Sequence, residues 1–164
     1  RSAIFACRRA VALAAGDISP AVFVLLSVKH VYTVLMLAVT KKIAIIDDDT
    51  FILDLYVHKF SERGYDILAM SDQNFSLEKL FAFAPSVVLL DINMPLINGF
   101  DVLRKMKEGF PALPYVILLT NNDKKAPSAQ GKELGASDYI VKVSKTPTEI
   151  ADIVEDALRK ISAV

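Results

Sequence analysis

Four polar stations interrupt apolar runs in this chain. Asp47-Asp48-Asp49 follows KIAII (42–46), Asp91 follows SVVLL (86–90), Thr120 follows YVILL (115–119) and Lys142 follows DYIV (138–141). Brought together, these residues could handle a phosphoryl group. Crowded carboxylates repel one another unless a cation neutralises them. Mg²⁺ suits such a set because it takes a few carboxylate oxygens and keeps waters and phosphate as its other ligands. Asp47 and Asp48 would hold the metal. Asp91 would be both a ligand and the nucleophile, forming an acyl phosphate. Phosphoryl transfer needs charge stabilisation on the equatorial oxygens more than covalent help. Mg²⁺, the Lys142 ammonium and the Thr120 hydroxyl would supply it.

Each residue taken singly has a plainer explanation. An acidic run after a strand commonly starts a helix, where Asp caps the free N–H groups and suits the dipole; Asp49 is read that way. A lone Asp, Thr or Lys at a strand end is usually just surface. The combination carries the argument, and it requires elements that deliver all four stations to one place.

The periodicity supplies such elements. Short apolar runs at 42–46, 66–70, 86–90, 114–119 and 137–141 read as five strands. Between them lie helical patterns. Ile52, Leu55, Tyr56 and Phe60 recur at helical spacing until Gly64. Residues 75–83 are helical until Pro85, and 100–107 form a helix after Gly99. Residues 124–134 form another, in which Pro127 must lie in the first turn or distort the helix. The last spans 146–161, where Thr146 and Glu149 form a capping box around Pro147. Its apolar stripe is Ile150, Ile153, Val154, Ala157, Leu158 and Ile161. Continuously apolar strands alternating with helices indicate a parallel sheet covered on both faces. With right-handed crossovers this is an α/β doubly wound sheet. Sites in such sheets lie beyond the carboxyl ends of the strands, where all four stations fall.

Residues 1–40 have another character. They carry four basic residues against one acidic, while the whole chain is neutral. Residues 20–39 are nearly all apolar and long enough to span a bilayer as a helix. Lys29 and His30 near the middle make that costly. Three readings stand: a membrane anchor, an extra packed element, or an upstream extension preceding a start near Met36 or Val39. The expected division is therefore 1–40 and 41–164. The single cysteine, Cys7, excludes an internal disulfide and a cysteine-based zinc site. Zero net charge argues against a strongly basic nucleic-acid binder.

Residues 42–161 resemble the receiver domain of two-component response regulators, which has the flavodoxin-like fold of the chemotaxis protein CheY. IIDDD at 45–49, LLDINMP with NG at 89–99, ILLT at 117–120 and GASDYIVK at 135–142 carry the resemblance. It implies strand order 2-1-3-4-5 with five helices. It implies Asp47 and Asp48 as Mg²⁺ ligands, Asp91 as phosphoacceptor, and the Asn93 backbone carbonyl completing the metal site. Met94, Pro95 and Gly99 would shape the pocket, Lys142 would bind phosphate, and Thr120 and Tyr139 would be the switch pair. The phosphoryl donor would be a sensor histidine kinase or a histidine phosphotransfer protein. An unidentified downstream protein would be engaged through the face of helix four, strand five and helix five. The only catalysis expected is the chain's own aspartyl phosphorylation and dephosphorylation.

Three departures from the family pattern bear on rate. Val143 stands where proline usually follows the lysine, so the loop after strand five is expected to be built differently. Asn121 follows the threonine where a small residue is usual, and could restrict access to Asp91. Pro127 falls in a helix of the output face. Two other functions compete. A haloacid-dehalogenase-like Mg²⁺-dependent phosphatase would need Asp47 as nucleophile and leaves Asp91 without a role. A phosphorylation-independent interaction module would not need the intact acid set. With no output domain visible, the expectation is a single-domain regulator, cytoplasmic or anchored through residues 20–39.

Overall fold

The structure, a computed structural model, describes residues 42–121 and 126–162. The expected anchor at 20–39 and the division at residue 40 lie outside them. Five parallel strands, β1 (Lys42–Ile46), β2 (Asp66–Met70), β3 (Val87–Asp91), β4 (Tyr115–Thr120) and β5 (Asp138–Val141), form one sheet in the order β2-β1-β3-β4-β5. The helices are α1 (Thr50–Glu62), α2 (Leu77–Phe83), α3 (Gly99–Gly109), α4 (Ala126–Leu134) and α5 (Pro147–Ser162). This is the doubly wound, flavodoxin-like architecture expected from the sequence.

Strand side chains alternate between two cores, as the pleat requires. Ile43, Ile45, Val87, Leu89, Ile117 and Leu119 pack with Leu53, Tyr56 and Phe60 of α1 and with Ile150, Val154 and Leu158 of α5. Ala44, Ile46, Val88, Leu90, Val116 and Leu118 pack with Leu80 of α2 and Val102, Leu103 and Met106 of α3. Both faces are covered, which is why β1, β3 and β4 read as unbroken apolar runs.

The helix ends follow local chemistry. Asp49 caps α1, accepting hydrogen bonds from the Phe51 and Ile52 backbone N–H groups at 2.9 and 3.3 Å. Gly64, at φ +77°, turns the chain out of α1 in a conformation that suits glycine. Thr146 and Glu149 form the expected capping box: the Thr146 N–H donates to Glu149 at 2.7 Å, and the Glu149 N–H to the Thr146 hydroxyl at 3.3 Å. Pro127 lies in the first turn of α4, where its missing N–H costs nothing.

Two details differ from the sequence reading. Leu53, rather than Leu55, joins Tyr56 and Phe60 in the fully buried stripe of α1. Helix α2 starts at Leu77 rather than Phe75, because the Ser76 hydroxyl caps the Lys79 N–H. Strand five ends at Val141, as the sequence reading has it, and Lys142 follows. It opens a 3₁₀ turn, Lys142–Ser144, and the described backbone has no cis peptide bond. Without proline at 143, an all-trans turn held by the Lys145 N–H to the Lys142 carbonyl (3.2 Å) carries the chain onward.

Candidate functional site

Parallel register sets the site at one edge of the sheet. Ile46 pairs with Leu90, Asp91 with Leu119 and Thr120 with Val141. Asp47, Asp91, Thr120 and Lys142 therefore leave four adjacent strands at the same level. Asp47, Asp91 and Thr120 are the buried polar or charged residues of the described chain.

The local backbone holds them there. The Asp47 N–H donates to the Met70 carbonyl (3.2 Å), and the Asp47 carboxylate accepts from the Asp49 N–H (3.2 Å). Beyond β3, the Ile92 N–H donates to Leu119 and the Gly99 N–H to Ile92, both at 3.0 Å. These bonds fold the Asn93–Asn98 loop back over the Asp91 backbone. Gly99 permits that approach: a Cβ there would overlap the Asp91 carbonyl oxygen and stand 2.8 Å from Ile92 Cα.

The side chains converge. Lys142 Nζ lies 2.8 Å from Asp47 Oδ2 and 3.3 Å from Asp91 Oδ2. Carboxylate oxygens of Asp47, Asp48 and Asp91 all lie within 4.8 Å of one another. Asp91 Oδ1 is buried without a hydrogen-bond partner. The Asn93 amide donates to the Thr120 hydroxyl at 3.2 Å, and the Asn93 backbone N–H faces Asp91. A cavity of about 360 Å³ opens over this cluster and is also lined by Asn121, Val143, Lys145 and Tyr56. Asn121 and Val143 are exposed on it. Tyr139 is half-buried against the second core, on the edge strand between α4 and α5.

Electrostatics leave this group short of positive charge. Burial raises the Asp47 carboxyl above its ordinary value, and contact with Lys142 only partly offsets it. Burial likewise raises Asp91; Lys142 opposes the shift and Asp47 adds to it. Burial pulls the Lys142 ammonium down, but its contacts with Asp47 and Asp91 outweigh that and hold it above its usual range. An ion pair ordinarily lowers the acid as it raises the base. Here both acids rise, because one ammonium cannot compensate two desolvated carboxylates. Oxygen-only donors, an orphaned buried carboxylate oxygen and uncompensated charge are what a hard divalent cation requires. The residues present fit Mg²⁺.

The fold and this acid cluster define a receiver-type signalling module, and comparison with known proteins agrees. Residues 43–155 match the family described as response regulator receiver domain, and the chain belongs to that family. The alkaline phosphatase synthesis transcriptional regulatory protein PhoP of Bacillus subtilis is 31% identical over 120 residues, covering 73% of this chain and 49% of that protein. The chain thus spans about half the length of that curated relative. The BeF3-activated N-terminal receiver domain of Klebsiella pneumoniae RstA superposes with a TM-score of 0.64 at 26% identity, covering 72% of this chain and 98% of that one. Chemotaxis response regulator CheY4 of Vibrio cholerae superposes with a TM-score of 0.63 at 22% identity over the same shares, a likeness of fold.

The structure brings Asp47, Asp48, Asp91, Asn93 and Lys142 around one cavity and sets Thr120 against Asn93, whereas Met94, Pro95 and Tyr139 are not among the residues that line it. Among the described residues no helix is long and apolar enough to cross a membrane. Sequence reading missed Tyr56 at the cavity wall. Its helical spacing marked it as core, and only its phenol distinguished it from its apolar neighbours.

Proposed function

We propose that this receiver domain accepts a phosphoryl group on Asp91, from a phosphohistidine of a sensor kinase or phosphotransfer protein, with Mg²⁺ bound by Asp47, Asp48, Asp91 and the Asn93 carbonyl. The observation that carries this reading is the free Asp91 Oδ1, an unpartnered carboxylate oxygen at the end of β3 whose companion Oδ2 lies 3.3 Å from the Lys142 ammonium. That oxygen attacks phosphorus, the P–N bond of the donor breaks, and the imidazole nitrogen keeps the electron pair. The product is an acyl phosphate. Bound Mg²⁺ supplies charge neutralisation for the carboxylates and the incoming phosphoryl oxygens. Lys142 holds the remaining negative charge through its ammonium. Thr120 exchanges its contact with Asn93 for one with the phosphoryl group. Tyr139 follows, and the α4, β5 and α5 surface changes its affinity for a downstream protein as a population shift. Water hydrolysis of the acyl phosphate resets the switch, and Asn121 at the cavity slows entry of donors and water. The chain catalyses no reaction other than its own phosphorylation and dephosphorylation.

A phosphatase using Asp47 as nucleophile fits less well. Asp47 is fully buried and committed to Lys142 at 2.8 Å, whereas the unpartnered oxygen belongs to Asp91. Intact mass after incubation with Mg²⁺ and acetyl phosphate or phosphoramidate decides between the readings. The expected result is a labile phosphate adduct that Asp91→Asn abolishes. An adduct that persists in Asp91→Asn moves the nucleophile to Asp47. Turnover of general phosphate esters favours the phosphatase, and no adduct with any donor leaves an interaction module.

A further inference from the structure

Tyr56 stands in the apolar stripe of α1, yet its environment is not purely apolar. Its ring is anchored in the first core, tilted against Phe60 with centroids 6.3 Å apart. The residue is only 3% exposed and lines the cavity shared by Asp47, Asp48, Asp91 and Lys142. A phenol placed there brings a neutral O–H donor to a cavity that Asp47, Asp48, Asp49 and Asp91 also line.

We propose that Tyr56, which lines the α1 side of the cavity, is a positioning residue of the metal site, its phenol serving as a hydrogen-bond donor to the waters of the ligand sphere formed by Asp47 and Asp91. This rests on the reading of that cluster as a Mg²⁺-dependent phosphoryl site. The electrostatic setting agrees with the placement. Burial, followed by the charges of Asp47 and then Asp91, pushes the phenol up to about 12, so it stays a neutral donor and never adds another anion. Donors behind metal-binding carboxylates orient them and the waters they share, and removing such a partner typically costs about 10- to 100-fold in metal affinity. The ring is packed in the first core beside Phe60, which limits its freedom as a support for the site. Were Tyr56 only core, phenylalanine would serve equally well.

The test is Mg²⁺ titration of the intact chain and of Tyr56→Phe at neutral pH, by calorimetry and by tyrosine near-ultraviolet difference absorbance. The chain has no tryptophan and five tyrosines, so the optical signal is a tyrosine signal. In the parent chain Mg²⁺ is expected to perturb the tyrosine spectrum. In Tyr56→Phe the perturbation should be lost and Mg²⁺ affinity should fall about tenfold, with the thermal unfolding midpoint in EDTA nearly unchanged. Equal Mg²⁺ affinity in the two proteins overturns the role of Tyr56 while leaving the metal site intact. If the parent chain itself binds no Mg²⁺, the metal reading fails and the role of Tyr56 fails with it. The two failures are told apart by the parent titration alone. A Tyr56→Leu variant that loses affinity while Tyr56→Phe does not would assign the effect to ring packing and likewise overturn the proposal.

Discussion

The Lys142 ammonium lies closer to Asp47 (2.8 Å) than to Asp91 (3.3 Å). The lysine proposed to bind phosphate is thus engaged first with a proposed metal ligand, standing in part of the way for a cation. It is nearly buried, 11% exposed, between carboxylates that are 0% and 3% exposed. Replacing it by methionine would leave two desolvated acids without a counter-charge. Removing one partner of a buried pair costs roughly 3–5 kcal/mol. Because both acids can take up a proton, the lower end of that range is expected for Lys142→Met, measured by urea unfolding in EDTA. Saturating Mg²⁺ should recover most of the loss. A variant equally destabilised with and without Mg²⁺ would show that lysine and cation do not share these carboxylates.

The raised carboxyls of Asp47 and Asp91 predict an uncommon pH response in metal-free protein. Their folded values exceed the ordinary 3.8, so the folded state binds protons more tightly than the unfolded chain. Their contribution to stability is full below 3.8 and is lost as pH rises through the folded values. Lys142 is also raised, from 10.5, so its contribution persists throughout the acid and neutral range and is lost only in strong alkali. In EDTA, therefore, the parent chain should gain stability relative to Asp47→Asn as pH falls from 7 toward 4.5. Paired thermal melts at each pH measure the difference. A gap that stays flat or moves the other way would contradict the burial argument.

Gly99 is a test of how rigidly the acid is presented. A Cβ there meets backbone atoms of Asp91 and Ile92, including Ile92 Cα at 2.8 Å, and backbone cannot swing aside as a long side chain would. Gly99→Ala is expected to destabilise by about 1–3 kcal/mol, the usual range for overpacking. It should also slow the proposed modification of Asp91 by acetyl phosphate, because relief of the overlap must displace the peptide that carries that side chain. Unchanged melting temperature and unchanged labelling rate would mean the loop relaxes elsewhere.

Much of this fold is legible in the sequence. The runs KIAII, SVVLL and YVILL announced buried parallel strands because no polar residue interrupts them. The Thr146–Glu149 box and Asp49 announced helix starts because capping is local, involving atoms a few residues apart. Less local matters escaped. Arg63 ties the end of α1 to α5 through Asp152 at 2.8 Å and Glu155 at 2.9 Å, and no periodicity in either helix hints at that pairing. The 3₁₀ form of the loop at Lys142 also escaped, as did the pairing of its ammonium with Asp47 and Asp91, residues far away along the chain.

The sequence by itself determined which residues would gather. Strand periodicity and chain order place Asp47, Asp91, Thr120 and Lys142 at one edge of a parallel sheet, since such a sheet brings all its carboxyl ends together. Tertiary structure alone decided how they stand toward one another. Burial is a property of the packed whole, and so is the share of one ammonium between two carboxylates. Only packing leaves Asp91 Oδ1 unpartnered, and only packing turns Tyr56 from a member of an apolar stripe into a wall of the acid cavity.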